Sequence, residues 1–289
     1  MRPPYPKEIV PLLPEFLNKR RTKFTFPLRA MEELGIDRPA FFFVVGTVAS
    51  QGGGRFEELG NPYATQWEQW GAASAAAREA GLVEESGGRW DLTAKGRDLV
   101  ARMRREADQY LASLRSPLPS EEVFRLAGLL ARAFESIASS LDRRSSSHIP
   151  RAARMAGDGR VGMVALENAV YAMWQARDDC HMTAWREAGL DGPTLDTLTR
   201  VWRHEAATED ELAEKLTSQR PADVARSLRR LRDDGLVRPD GLATTDKGAR
   251  ARQAIEDETD RLFFSPWPDD VGARSDWILL KLAAVNASF

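Results

Sequence analysis

Apolar residues recur at helical spacing through the first third of the chain, and one short pair of alternating segments interrupts them. After a helix in "FPLRAMEELGI", the spacing predicts three more helices, a strand pair around a Gly-Gly turn, and a long amphipathic helix. In order these are "RPAFFFVVGTVAS", "RFEELGNPYA", "TQWEQWGAASAAAREAG", "LVEESGGRWDL" and "TAKGRDLVARMRREADQYLASL". Three helices, a hairpin and a closing helix form the order of elements in a winged helix.

The same order of elements returns in the second half of the chain. Its segments are "GPTLDTLTRVWRHE", "TEDELAEKL", "PADVARSLRRLRDDG", "LVRPDGLAT" and "TDKGARARQAIEDETDRLF". Gly81 aligns with Gly235 and Gly96 with Gly248, so the offset falls from 154 to 152 and the first hairpin is two residues longer. A repeat that changes only in a loop indicates two copies of one fold. The predicted fold class is mainly α with small β-hairpins: two winged-helix domains in tandem, joined by long helices.

These elements divide the chain into five predicted segments. They are an N-terminal arm (1–24), a first winged-helix domain (25–117), a helical connector (118–190), a second winged-helix domain (191–265) and a C-terminal helix (266–289). Inside the connector, "RSSSHIPRAARMAGDG" predicts an exposed linker near 144–159. The connector and the last helix also carry apolar residues on more than one side, which indicates burial between domains or against another subunit.

Composition narrows the class of protein. Of 289 residues, 43% are hydrophobic and 29% charged, which is typical of a globular protein with a substantial core. The apolar runs are too short for a membrane span, and the prolines near the N-terminus do not fit a secretory signal. The single cysteine, Cys180, fits a reducing compartment, so a cytoplasmic protein is predicted. A net charge of -2 provides no global basic field, and any attraction to nucleic acid must come from a local patch.

The third helix of the second copy provides such a patch. At 100° per residue its apolar positions fall on one side, and arginines lie on the opposite side. Guanidinium groups on the outer face of such a helix can read guanine edges or hold phosphates in a major groove. The residues predicted to face the groove are Arg226, Arg229 and Arg230, and those predicted to hold phosphates are Arg220, Arg238 and Lys247.

Two observations bear on this prediction in opposite directions. Asp223 and Asp233 lie three and four residues from arginines of the helix, so the charged face can also be a self-paired, solvated surface. The aligned face in the first copy carries Ala72, Ala75 and Ala76, which cannot neutralise phosphate but suit close helix packing. The first domain is therefore predicted to be degenerate, with a non-basic recognition helix and the acidic hairpin residues Glu84 and Glu85.

Few residues suggest catalysis or metal binding. The segment "RDDCHMTAW" brings Asp178, Cys180, His181 and Trp185 close together, but it lacks the further ligand that a zinc site would need. A hydrogen-bonded structural cluster is the preferred interpretation, and Trp67 and Trp70 are interpreted as core residues. Because no convergent acid, base and nucleophile is visible, neither an enzyme nor a cofactor is expected.

These motifs resemble those of a known family. The segments that carry the resemblance are "LRAMEELGIDRPAFFFVVGTV", "LTAKGR", "RDDCHMTAW" and "TDKGARARQAIEDETDRL". They look like MarR-like tandem winged helix-turn-helix proteins of high-GC bacteria. The resemblance implies a transcriptional regulator that binds double-stranded DNA, often as a homodimer, with a small-molecule effector that relieves repression.

A second hypothesis comes from a different class. It is a winged-helix scaffold that binds a small ligand or a protein partner and does not bind DNA, and the near-neutral net charge motivates it.

Overall fold

A computed structural model describes residues 5–65, 69–142, 147–156 and 162–289, and of Gln69 it describes the backbone. The chain divides into two compact units. One comprises Met1–Leu59, Trp70–Asp179 and Leu262–Phe289, and the other Gly60–Gln69 and Cys180–Arg261. Most described residues lie in helices, and a small antiparallel sheet of three strands accompanies them.

The described elements follow one another as helices and short strands. The helices are α1 (Leu12–Lys19), α2 (Phe26–Leu34), α3 (Arg38–Phe42), α4 (Phe56–Leu59), α5 (Gln69–Glu79), α6 (Ala94–Ser113), α7 (Ser120–Ser140), α8 (Ile149–Met155), α9 (Gly162–Glu187), α10 (Gly192–Trp202), α11 (Glu209–Lys215), α12 (Pro221–Asp233), α13 (Asp246–Phe264), α14 (Asp269–Gly272) and α15 (Ser275–Asn286). The strands are β1 (Gly54–Arg55), β2 (Val83–Ser86) and β3 (Arg89–Leu92), with a 3-10 turn at Lys7–Ile9 and a π-helical stretch at Phe43–Ala49.

Among the helices that the structure describes, none is long and apolar enough to cross a membrane.

The first unit contains the sheet, whose strands run in the order β1, β3, β2 with both pairs antiparallel. Val83 pairs with Leu92 in the predicted hairpin, and Gly54 of β1 pairs with Trp90 on its other side. The helix predicted over "RPAFFFVVGTVAS" starts as α3 and continues as the π-helical stretch, which packs against β3 and α6. Their apolar side chains share one core, which includes Phe43, Val44, Val48, Leu59, Ala77, Leu82, Trp90 and Leu99.

The second unit places α10, α11 and α12 around its own core, with α12 packed on both of the other helices. The predicted hairpin after α12 is reduced to one antiparallel bridge, between Val237 and Thr244. The buried apolar residues of this core include Leu198, Val201, Leu212, Leu216, Val224, Leu228, Leu231, Leu236 and Val237.

The hairpin of the first unit is joined to its flanking helices by a compact set of hydrogen bonds. The hydroxyl of Thr93 donates to the carbonyl of Gly81 over 2.6 Å and accepts from the N–H of Gly96 over 3.1 Å. The ammonium group of Lys95 donates to the carbonyl oxygen of Ala80 at 2.8 Å, near the end of α5. Gly81 adopts a φ of +70°, which favours glycine at a helix end.

The second unit repeats this set of hydrogen bonds. The hydroxyl of Thr245 donates to the carbonyl of Gly235 over 2.7 Å and accepts from the N–H of Gly248 over 3.0 Å. Lys247 donates to the carbonyl oxygen of Asp234 at 2.6 Å, and Gly235 has a φ of +67°. The aligned residues therefore have the same local structure in both halves of the chain.

The correspondence extends further towards the N-terminus of each half than the predicted repeat. Gly-Ile-Asp-Arg-Pro at 35–39 recurs as Gly-Leu-Asp-Gly-Pro at 189–193, 154 positions later. In both places the aspartate is a helix N-cap and accepts a backbone N–H three residues on, at 2.9 Å for Asp37 and 2.8 Å for Asp191. Hydrophobic periodicity does not reveal this repeated cap, because the cap lies between elements.

The structure differs from the exposed linker predicted near 144–159. Residues 147–156 contain α8, and His148 and Ala152 are buried. The cause is a distant carboxylate: Asp179, fully buried on α9, accepts the backbone N–H groups of Ser147, His148 and Ile149 at 2.7–3.1 Å. The remaining parts of that prediction, 144–146 and 157–159, lie outside the described residues.

Candidate nucleic-acid interface

Helix α12 is an amphipathic helix whose apolar side faces the core of the second unit. Proline at its first position favours the start at Pro221, and the chain leaves the helix at Asp234. Val224, Leu228 and Leu231 are buried, on the side that the spacing predicts. The packing of these residues on α10 and α11 leaves the arginine-bearing side of α12 outermost.

Arg226 and Arg229 lie on the outer face of α12, about one turn apart. The side chain of Arg226 is 72% exposed although its guanidinium lies 2.7 Å from a carboxylate oxygen of Asp223. Asp223 is itself buried, with a side chain 10% exposed. The ion pair therefore holds one nitrogen of the Arg226 guanidinium against the helix and leaves most of the side chain exposed. Arg229 is also exposed. Both guanidinium groups are therefore accessible to a large partner.

Arg230 has a different environment from the other two predicted groove residues. Its guanidinium lies 2.8 Å from the carboxylate of Asp191, the N-cap of α10, and donates to the carbonyl of Gly189 at 2.8 Å. A third partner, Asp234, is 3.8 Å away. This geometry fastens α12 to the beginning of α10, which gives Arg230 a role within the unit.

Arg232 was not among the predicted site residues, although it belongs to the same run of arginines. Its guanidinium lies 2.9 Å from Glu209 of α11 and donates to the carbonyl oxygens of Arg238 and Gly241. It thereby connects three consecutive elements of the second unit. The helical wheel provides a signal for this role, because Arg232 falls beside the apolar face.

The predicted phosphate contacts fall into two groups. Arg220 and Arg238 are exposed at the two ends of α12, Arg220 as its N-cap and Arg238 beyond its C-terminus. Lys247 instead donates to the last turn of α12, in the same way that Lys95 does in the first half. Ammonium groups are favourable at helix C-termini, so this contact stabilises the end of α12.

The aligned face of the first half is small and uncharged, as the sequence indicates. Ala72 and Ala75 are exposed on α5, and Ala76 packs partly against the core. Glu84 and Glu85 are exposed on the hairpin, and Glu85 lies 3.8 Å from Arg78. These residues offer no cationic surface to a phosphate backbone.

Of the two tryptophans interpreted as core residues, Trp70 packs against Phe43 with ring centroids 5.7 Å apart. Trp67 lies outside the described residues.

The segment "RDDCHMTAW" crosses the boundary between the two units, with Asp178 and Asp179 in the first and Cys180, His181 and Trp185 in the second. In the second unit, the side chain of Cys180 is buried, and a ring nitrogen of His181 lies 3.1 Å from the hydroxyl of Thr259. Among the described residues, no group of three or more His, Cys, Asp and Glu side chains is arranged to hold a metal ion. The residues not described are 1–4, 66–68, 143–146 and 157–161. The described geometry thus gives these residues packing and hydrogen-bonding roles.

Asp178 is expected to make the stability of the first unit depend on pH. Burial raises the pKa of its carboxyl to about 6, with a further upward contribution from Asp179 and opposing ones from His148, Arg151 and Arg177. Because the folded-state pKa lies above the ordinary value of 3.8, folding favours the protonated acid, and this contribution is lost as pH rises through 6.

As pH rises from 4 to 7, wild type should lose about 2 kcal/mol of unfolding free energy that Asp178→Asn does not lose, because asparagine does not titrate. Urea unfolding of both proteins across that range measures the difference. A difference that does not change with pH would contradict the expected titration of Asp178.

Residues 162–288 match a family model described as a helix-turn-helix family. The matched segment includes α10, α11 and the basic helix α12. Comparison with curated proteins and with solved structures gave no match. Residues 162–288 are therefore similar to a helix-turn-helix family, and α12 is the third of the consecutive helices α10, α11 and α12 within the matched segment.

Proposed function

We propose that this protein is a transcriptional regulator that binds double-stranded DNA through α12. The observation that carries the proposal is the exposed cationic face of α12, formed by Arg226 and Arg229, within a helix-turn-helix segment. The apolar face of the same helix is committed to the core, so only the cationic face is available to a partner.

The chemistry of this face suits a major groove. An α-helix fits the width of the groove, and arginine donates two parallel hydrogen bonds to the O6 and N7 atoms of guanine. Arg226 is held at one edge by Asp223, which reduces the rotamer freedom that binding would otherwise remove. In this proposal Arg226 and Arg229 contact bases or phosphates within the groove, and Arg220 and Arg238 contact the flanking phosphates.

Arg230 and Lys247 have a lesser part in the proposal than the sequence assigned to them. Their donors already bind a carboxylate and backbone carbonyls of the same unit. We propose that both residues act by fixing α12 and its following turn, and that the exposed arginines make the DNA contacts.

The tandem winged-helix arrangement is the second part of the proposal. The repeated Gly-Leu/Ile-Asp-x-Pro cap and the repeated Thr-Lys-Gly contacts support two copies of one fold, with the domain boundaries predicted above. In this view the first copy has lost the cationic face and serves as a scaffold. A MarR-like kinship, a small-molecule effector and a homodimer remain predictions of the resemblance.

Salt dependence tests DNA binding directly. We expect the full-length protein to bind a pool of random-sequence duplex DNA, with an affinity that falls steeply as salt rises. If four arginines each neutralise one phosphate, affinity should fall roughly 100-fold between about 50 and about 200 mM salt. Fluorescence anisotropy with a labelled duplex provides the measurement. Absence of binding at low salt, or binding that salt does not weaken, would contradict the proposal.

A scaffold that binds a protein partner is the second candidate, and the exposed alanines of α5 together with the acidic hairpin favour it. Docking of an apolar partner would depend little on salt. A titration of affinity against salt therefore separates the two functions: affinity for DNA should fall steeply, and affinity for an apolar protein partner should stay nearly constant.

A further inference from the structure

We infer that Thr65 is a positioning residue for the N-terminal end of α12, an inference that rests on the DNA-binding function proposed above. The turn between α11 and α12 would approach the DNA backbone in that function, so its placement determines where Arg220 and Arg226 lie. Thr65 is outside the segment that matches the helix-turn-helix family, which begins at residue 162.

Helix α12 begins without a capping side chain of its own. Its N-cap is Arg220, which forms no side-chain cap hydrogen bond, whereas Asp191 and Thr208 cap the two preceding helices in the usual way. A helix start of this kind needs support from elsewhere if its position is to be well defined.

Thr65 supplies this support through two hydrogen bonds. Its hydroxyl accepts the backbone N–H of Arg220 at 2.9 Å, and its own N–H donates to the carbonyl of Ser218 at 2.9 Å. The two bonds bracket the residue immediately before the helix. Thr65 and Arg220 are 155 positions apart, so the fastening is a tertiary contact.

The segment that carries Thr65 is itself held firmly in the second unit. The hydroxyl of Tyr63 accepts the indole N–H of Trp185 at 3.3 Å, with the two rings 6.1 Å apart. The carbonyl of Pro62 lies against Gly192 so closely that a Cβ there would overlap it. The same segment thus contacts the starts of both α10 and α12.

In sequence this segment belongs to the first half of the chain, although it lies in the second compact unit. Thr65 precedes α5, which begins at Gln69 and is the alanine-faced helix of the first half. Under the tandem proposal, the degenerate copy therefore contributes the residue that places the DNA-binding helix of the intact copy. This contribution gives a reason for the first copy to persist without a cationic face.

Thr65→Val tests the inference, with Thr65→Ser as its matched control. Valine has nearly the shape of threonine without the hydroxyl acceptor, and serine retains the hydroxyl. In the full-length protein we expect the valine variant to bind duplex DNA about 2- to 10-fold more weakly, the range expected for one hydrogen bond, and the serine variant to bind like wild type. The slope of affinity against salt should be unchanged, because no charge is removed. Wild-type affinity in the valine variant, or an equal loss in both variants, would overturn the inference.

Amide hydrogen exchange gives a readout that does not need DNA. The N–H of Arg220 and its neighbours at the start of α12 should exchange about 2- to 10-fold faster in the valine variant, and the core amides of α10 should not change. If wild type does not bind DNA, the proposed function fails, and exchange still tests whether Thr65 positions α12. Unchanged exchange at Arg220 would overturn the positioning role.

Discussion

The double variant Arg226→Ala/Arg229→Ala should bind duplex DNA at least about 30-fold more weakly than wild type. Each arginine that contacts a base or phosphate contributes about 1–3 kcal/mol, so the loss of two gives a large combined effect. Both side chains are exposed, and Arg226 pairs with only one residue that the structure shows, Asp223. The unfolding free energy should therefore fall by no more than about 1 kcal/mol.

A matched control separates specific contacts from a change in net charge. Arg105 and Arg115 are exposed arginines of the first unit, and replacing both by alanine removes the same charge. Fluorescence anisotropy at fixed low salt should show near-wild-type affinity for this control and a strong loss for the α12 variant. Equal affinities in the two double variants would show that Arg226 and Arg229 do not contact DNA. The slope of affinity against salt should also decrease in the α12 variant, by roughly one for each lost phosphate contact.

The sequence predicted the apolar face of α12 well, because burial follows the helical period. Val224, Leu228 and Leu231 point into the core, and this fixes which side of the helix is outermost. The aligned glycines and the Thr-x-Lys-Gly segments have matching local structure in the two halves, since turns and caps restrict residue type. The mainly helical class and the hairpin of the first half follow from the same local rules.

The environment of each arginine could not be predicted in the same way. Arg230 and Arg226 both fall on the polar side of α12, yet one binds the N-cap of α10 and the other is largely exposed. A long side chain reaches several ångströms in more than one direction, so its partner depends on tertiary packing. Lys247 illustrates the same limit, because its partner at the end of α12 becomes evident only when the fold is assembled.

The contacts made by Thr65 and Asp179 are also tertiary. Each residue caps or fastens a helix start that lies far away in sequence, and local patterns do not specify such a pairing. The composition of the stretch near 144–159 is typical of an exposed linker, whereas the buried carboxylate that binds the start of α8 comes from α9. A polar residue in the middle of an apolar helix is the sequence signal that could have indicated this role.

Asp179→Ala should lower the unfolding free energy of the protein by about 3–5 kcal/mol, the largest effect on stability expected for a single substitution here. The fully buried carboxylate accepts three successive backbone N–H groups at the start of α8, and the His148 ring nitrogen lies 3.2 Å from it. Alanine would leave those three donors without this acceptor, one of them on the buried residue His148. Urea unfolding followed by circular dichroism at neutral pH measures the loss.

The pH dependence of a second variant, Asp179→Asn, tests whether the charge of the carboxylate is the cause. Burial raises the pKa of the Asp179 carboxyl, but the His148 side chain and the backbone N–H groups of Ile149 and His148 outweigh it and lower the pKa below 3.8. The ionised carboxylate therefore stabilises the fold above the unfolded-state pKa, and this stabilisation is lost as pH falls through the lower folded-state pKa. The difference in unfolding free energy between wild type and Asp179→Asn, which keeps the shape and one acceptor oxygen, should consequently narrow in acid below about pH 4.

A loss smaller than about 1 kcal/mol for Asp179→Ala at neutral pH would show that water or a rearranged α8 satisfies these donors, and that the carboxylate does not hold α8 in place.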